Sequence, residues 1–409
     1  MNKKHVRVVV MALILLGTSL IFSPILSKTN AGHGFNAYLP SIFAVRQFEA
    51  NLTTNTFTNV TDIANAGDER LFVVELAGKI YVMQEDGTKS LFLDLSDKVT
   101  TDGTELGMFA LVFHPQFDTN GYFYVTYTEI KNDTSWNLRL AQFEVSADPD
   151  VANKSSEATI LEITMSDDKH NGGGLEFNPV DGRLYLGVGD DDQTMIAQET
   201  NSYKGRLVRI EVDSPTRIAQ FKTQPLIQLS DEISVAPTAS VTRWAKGFRN
   251  PWRIVANPLS GSIYVGDVGD RSWEEINQVP IGGADLNYGW PCKEGPEVKL
   301  DFTSCNKSFV DPIYAYDEGC AITLGEIYRP NNDNQYPTEI LFSDGCLKNI
   351  QLLSRPNGEW VAEPLATLPV QPGDYLTTFG IGSDGTIYGG LLGTSTPLYE
   401  FYIPPNWDR

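Results

Sequence analysis

Short runs in which small or polar residues alternate with large apolar ones recur along the chain, and the 3.6-residue period of an amphipathic helix is nowhere sustained. Six segments share one form: RLFVV from Arg70, GYFYV from Gly121, GRLYL from Gly182, GSIYV from Gly261, TEILF from Thr338 and GTIYG from Gly385. Most follow a turn signal such as FDTNG, PVDG, PLSG or GSDG, in which Asn, Asp, Ser and Gly tolerate tight backbone. Two copies overlay without a gap, HNGGGLEFNPVDGRLYL from His170 on RNPWRIVANPLSGSIYV from Arg249, so His170 matches Arg249 and Asn171 matches Asn250. A third copy, LVFHPQFDTNGYFYV, carries a three-residue insertion and puts His114 opposite Asn178, which makes His114 a turn residue.

Repeats of strand and turn predict an all-β fold, a six-bladed β-propeller of four-stranded antiparallel blades around a central channel, over residues 46–405. The repeat starts are 51, 61, 79, 77 and 47 residues apart, so the largest insertions fall around residues 190–245 and 280–330. A two-sheet sandwich is the alternative, and it leaves six copies unexplained.

The chain has 409 residues and opens with the basic MNKKHVR and an apolar run from Val8. Residues 1–31 read as a signal peptide, with an uncleaved membrane anchor as the rival, and residues 32–45 as a linker. The protein is therefore expected to be exported: periplasmic, extracellular or on the cell surface. Loss of residues 1–31 removes Lys3, Lys4, Arg7 and Lys28 and no acid, which makes the formal charge of −21 more negative by four. So acidic a chain is a poor partner for nucleic acid or anionic lipid and a good one for neutral ligands and bound cations. Four cysteines, Cys292, Cys305, Cys320 and Cys346, allow three disulfide connectivities. Pairing Cys292 with Cys305 and Cys320 with Cys346 is favoured, since the first pair brackets one loop-like insertion.

Equivalent positions in different blades share height and radius, so His170 and Arg249 are expected at one mouth of the channel. His170 is flanked by glycines that leave it little apolar surface, and an imidazole there suits a general base. A satisfied structural histidine, and for Arg249 an inter-blade salt bridge, are the alternatives. GVGDDD, with Asp190, Asp191 and Asp192, and GDVGDRSWEEIN offer carboxylates and Gly-rich carbonyls of the kind calcium takes, although the second lacks EF-hand spacing and a solvated acidic loop is the alternative for Asp191 and Asp192.

These motifs, with ELGMFALVFHPQFDTNGYFYVTYTE, NYGWPCKEG and AITLGEIYRP, resemble the PQQ-dependent glucose/sorbosone dehydrogenase family over most of residues 55–400. The resemblance implies a calcium-dependent quinoprotein that oxidises a sugar or related alcohol by hydride transfer to PQQ, with the electron acceptor unspecified. It implies His170 as general base, Arg249 and Asn250 at the quinone, Glu105 in the cofactor pocket, and Gly269 and Asp270 as carbonyl ligands of Ca2+. Two departures stand out. The family's cationic residues for the cofactor carboxylates align with the neighbourhood of Cys346 and with Tyr375 to Thr377, leaving Lys348 and Arg329 as the cations within reach. The cysteine pattern with PCKEG, GCAIT and DGC is closer to Hedgehog-interacting-type propellers, some of which bind rather than catalyse. A non-catalytic propeller binding carbohydrate or protein, and a calcium-dependent lactonase-type hydrolase, are the alternative functions.

Overall fold

The repeated segments become the second strand of six blades in a computed structural model that describes residues 44–47, 55–132, 134–212, 225–237, 239–299, 305, 308–328, 338–347, 349–367 and 373–402. The first strands are Val60–Asn65, Met108–Phe113, Gly172–Phe177, Pro251–Ala256, Ile322–Tyr328 and Tyr375–Ile381. Each touches the first strands of both neighbouring blades, so the six close a ring around a channel. Within each blade the strands follow one another antiparallel and outward. The six-bladed propeller expected from the repeats is thus the fold.

The overlay of the third and fourth blades holds at atomic detail. In the turn after each first strand, Asn178 and Asn257 use their side-chain oxygens to accept from the amides of Val180 and Leu259 at 3.0 and 2.9 Å. Gly182 and Gly261 close those turns with φ of 69° and 68°, a left-handed conformation that costs a glycine little. His114 lies in the corresponding turn of the second blade, where Nδ1 accepts from the Gln116 amide at 3.0 Å.

Both faces of most blades are covered, because a blade packs against a neighbour on each side. The buried apolar residues therefore form six clusters, one at each blade interface: Phe72 with Phe123 between the first two blades, Leu138 with Leu186 between the next, and Leu341 with Phe379 between the fifth and sixth. Each fully buried side chain of this kind contributes about 1.5–3 kcal/mol, so stability is spread around the ring.

Two features differ from the sequence expectation. The second blade has six strands, because Ile233–Val235 pairs with its outer strand Ala152–Met165 and Ile227–Gln228 pairs beyond it. This hairpin comes from the 190–245 insertion. The sixth blade is completed by the N-terminal strand Ala44–Gln47 against Tyr399–Tyr402, so the strand begins inside the segment read as a linker and fastens the ring shut. The insertion after residue 280 carries a two-stranded hairpin, Lys293–Glu294 with Glu297–Val298, and the Cys292–Cys305 disulfide before the chain rejoins the fourth blade at Tyr314–Tyr316. Cys320 and Cys346 form the second disulfide. No helix among the described residues is long and apolar enough to cross a membrane. The leader and residues 32–43 lie outside those described.

Candidate functional site

At the mouth where the first strands begin, a repeated acidic position explains how the site is built. In the fourth and fifth blades the second strand ends in Asp267 or Asp344, whose carboxylate accepts amides from the loop leading into the first strand. Glu75 does the same for Thr58 in the first blade. The third blade has Val188 at that position, by the same gapless overlay, and its acid arrives two residues later at Asp190. Instead of holding the loop into the first strand, Asp190 takes the imidazole of His170, with Nδ1 2.7 Å from Oδ1, which also accepts the Asp192 amide at 3.0 Å.

His170 and Asp190 are 6% and 1% exposed, so their contact is shielded from bulk water. The other Asp190 oxygen accepts from Trp290 Nε1 at 2.7 Å. With Nδ1–H donating to Asp190, the lone pair of His170 is on Nε2, which makes no hydrogen bond to any described residue. His170 itself has φ 54°, and Glu105 Oε2 accepts its backbone amide at 2.7 Å. The same Glu105 oxygen receives Asn250 Nδ2 at 3.3 Å, while Asn250 Oδ1 accepts the Gly172 amide at 3.0 Å. Glu105, His170 and Asn250, from the approaches to three successive blades, are therefore one hydrogen-bonded unit. Both ends of the Asn250 amide hold that unit together.

Arg249 is fixed next to it. Its guanidinium donates to the Val268 carbonyl at 3.0 Å, lies 3.8 Å from Asp270 Oδ1, and sits 5.6 Å from the centre of the Trp290 ring. Trp290 thus joins the histidine–aspartate pair to the arginine, a link that sequence reasoning missed although NYGWP was singled out. Beneath Arg249, burial and the neighbouring Glu275 push the Asp267 carboxyl well above its usual range, partly opposed by the amides of Arg249 and Asn250.

The turn from Gly269 is held from outside. Glu274 accepts the amides of Gly269 and Ile322, and Glu294 Oε1 accepts that of Asp270 at 2.8 Å. The carbonyl oxygens of Gly269 and Asp270 accept no hydrogen bond from described residues. Amides turned outward and carbonyls left free make a donor set that fits a hard cation.

Asp190 and Asp191 are not available to a metal. Asp191 is buried, accepting from the amides of Ser166 and Asp167 and from Lys204 Nζ at 2.6 Å. It anchors the loop before His170. Tyr375 is exposed at the mouth, Thr377 is buried with its hydroxyl on the Val60 carbonyl, and Cys346 is in a disulfide, so those places hold no cation. Lys348 and Arg329 lie outside the described residues.

A propeller whose mouth carries a carboxylate-oriented histidine beside an arginine defines a class of channel-site proteins. Residues 57–388 match the glucose/sorbosone dehydrogenase family, and the chain belongs to it. It is 26% identical over 336 residues to HIPL2 protein of Arabidopsis thaliana, covering 65% of this chain and 48% of that one. It is 24% identical over 294 residues to aldose sugar dehydrogenase YliI of Escherichia coli, covering 69% and 73%. The PQQ-bound aldose sugar dehydrogenase of Streptomyces coelicolor superposes with a TM-score of 0.63 at 18% identity, covering 89% of this chain and 99% of that one. The chain thus spans about half the length of its HIPL2 relative.

Proposed function

We propose that this chain is an exported, calcium-dependent quinoprotein that oxidises an aldose or related alcohol, with His170 as general base. The observation that carries the reading is the His170–Asp190 pair, which leaves Nε2 as the acceptor at a channel mouth beside Arg249. Family membership, the sugar dehydrogenase YliI and the quinone-bound fold relative support it. Two disulfides fit an oxidising compartment outside the cytoplasm.

In the reaction, His170 Nε2 takes the proton of the anomeric hydroxyl while the hydrogen on the same carbon leaves as hydride, so the ring sugar becomes a lactone. Asp190 keeps the imidazole in the receptive tautomer and stabilises the imidazolium that forms. Arg249, held by the Val268 carbonyl and near the Trp290 ring, would supply a fixed positive charge to a developing anion. Glu105 and Asn250 hold the histidine backbone and the start of the third blade. When bound, PQQ would supply the two-electron hydride acceptor and Ca2+ a Lewis acid, the latter held by the Gly269 and Asp270 carbonyls. General-base catalysis of this kind contributes about 10²–10⁴-fold.

These residues would serve the redox chemistry of PQQ, while its carboxylates would find no described cation at Tyr375, Thr377 or Cys346. Each missing charge-assisted contact removes about 1.5–3 kcal/mol. Lys348 or Arg329 would have to make up part of that loss. This shortage favours, as a second reading, a propeller that binds carbohydrate or a protein partner without turnover. Purified protein given calcium and excess PQQ decides between them: a bound-quinone spectrum and dye reduction with an aldose panel support the enzyme. Ligand binding that His170→Ala leaves unchanged, with no turnover by either form, supports the binder. Lactone hydrolysis without added quinone would instead revive the hydrolase.

A further inference from the structure

The first strands run from the His170 mouth to the opposite one, and their far halves line a cavity of about 320 Å³. That lies at the small end of ligand cavities, roughly 300–1,000 Å³. Its wall holds Asp62, Glu176, Arg253 and Glu326, contributed by the first, third, fourth and fifth blades, together with Phe177 and Phe379. None of these four polar side chains takes part in the site at the other mouth.

Their bonding is incomplete in both senses. Arg253 is nine-tenths buried; its Nε donates to the Thr377 carbonyl at 3.1 Å and Nη1 to the Phe109 carbonyl at 3.3 Å, and Nη1 lies 3.5 Å from Asp62 Oδ1. Nη2 is buried with no partner among the described residues. Asp62 is satisfied, accepting from the Leu111 amide at 2.8 Å and the Thr378 hydroxyl at 3.1 Å. Glu326 makes no side-chain hydrogen bond to a described residue, and Glu176 only a backbone one at Ala256. Burial raises both glutamates above their usual range, with Glu326 adding to the rise at Glu176 and Asp62 to that at Glu326.

Under-used carboxylates beside a buried guanidinium, set among aromatic walls, match groups that donate hydrogen bonds. A bare metal ion fits less well: the three carboxylates do not converge on one point, the cluster with ligand-like spacing among the described residues being Cys320, Asp344 and Cys346, whose thiols are oxidised. We propose that the far half of the channel is a separate binding site for a small, uncharged polyhydroxylated molecule, its hydroxyls donating to Glu176 and Glu326 between the Phe177 and Phe379 walls. The site is independent of the quinone chemistry at the other mouth.

Sorbitol tests this, because it has no anomeric carbon and yields no lactone. Calorimetric titration of the calcium-loaded, quinone-free protein is expected to show saturable sorbitol binding. The double variant Glu176→Gln/Glu326→Gln should weaken it about tenfold or more, and His170→Ala should change it by less than about twofold. A crystal structure of the wild-type protein with sorbitol gives a reading that does not depend on the variants folding. Density between Arg253 and the two glutamates supports the site. Absence of saturable binding, sorbitol seen only at the His170 mouth, or a cavity that binds calcium alone overturns it.

Discussion

His170 Nδ1 lies 2.7 Å from Asp190 Oδ1, and the aspartate reaches the histidine because it stands two residues beyond the place where other blades use an acid to hold their own backbone. Asp190→Asn tests the pair. The amide can donate to Nδ1 and move the ring proton to Nε2, so kcat with PQQ and aldose is expected to fall about 100-fold or more with little change in KM. An unchanged pH profile and rate would remove Asp190 from the mechanism.

Trp290→Phe keeps an aromatic ring near Arg249 and removes the Nε1–H donor to Asp190. The lost bond to a buried carboxylate should lower stability by about 1.5–3 kcal/mol and reduce turnover less than Asp190→Asn does. Thermal melts and steady-state kinetics on the same preparation read both effects.

Gly269→Ala places a Cβ 1.8 Å from the Trp273 carbonyl oxygen, so the turn offering the Gly269 and Asp270 carbonyls must shift. Weaker calcium retention is the expected outcome, measured as the chelator concentration that lowers the melting temperature. A variant whose melting responds to chelator as wild type does would place calcium elsewhere.

Glu326 has its carboxyl raised from 4.5 to about 7 by burial and then by Asp62, with Arg253 opposing, and burial and Glu326 raise Glu176 well above its usual value. The native state therefore holds more protons than the unfolded chain between these values. Stability is fullest below the unfolded value and declines as pH rises through the folded one. Melting temperature should fall from about pH 5 to about pH 8, and Glu326→Gln should flatten that fall. An equally steep decline in the variant would assign the effect to other groups.

Replacing Cys320 and Cys346 by serine opens a loop with a sequence separation of 26, and loop-closure entropy puts the cost at about 2–4 kcal/mol. Because Asp344 accepts the Cys320 amide and Glu274 accepts those of Ile322 and Gly269, the loosened segment adjoins the calcium turn. Denaturant melts measure the loss, and chelator sensitivity shows whether it spreads to the turn.

By itself the sequence determined the propeller, the blade count, the turns and the position of His170 and Arg249, because a repeated blade repeats its alternation and its Asn and Gly turn residues at readable intervals. It also indicated the pairing of the cysteines. It did not reveal that Asp190 and Trp290 complete the histidine, since these residues are separated by 100 positions and meet only when the third and fourth blades pack. Nor did it show that Asp191 is a buried anchor rather than a metal ligand, or that residues 227–235 enlarge the second blade while residues 44–47 close the sixth. The four charges in the far channel belong to the same category. Each lies in a strand that reads as an ordinary alternation, and only closure of the ring brings Asp62, Glu176, Arg253 and Glu326 into one cavity, where burial and mutual repulsion change what they can bind.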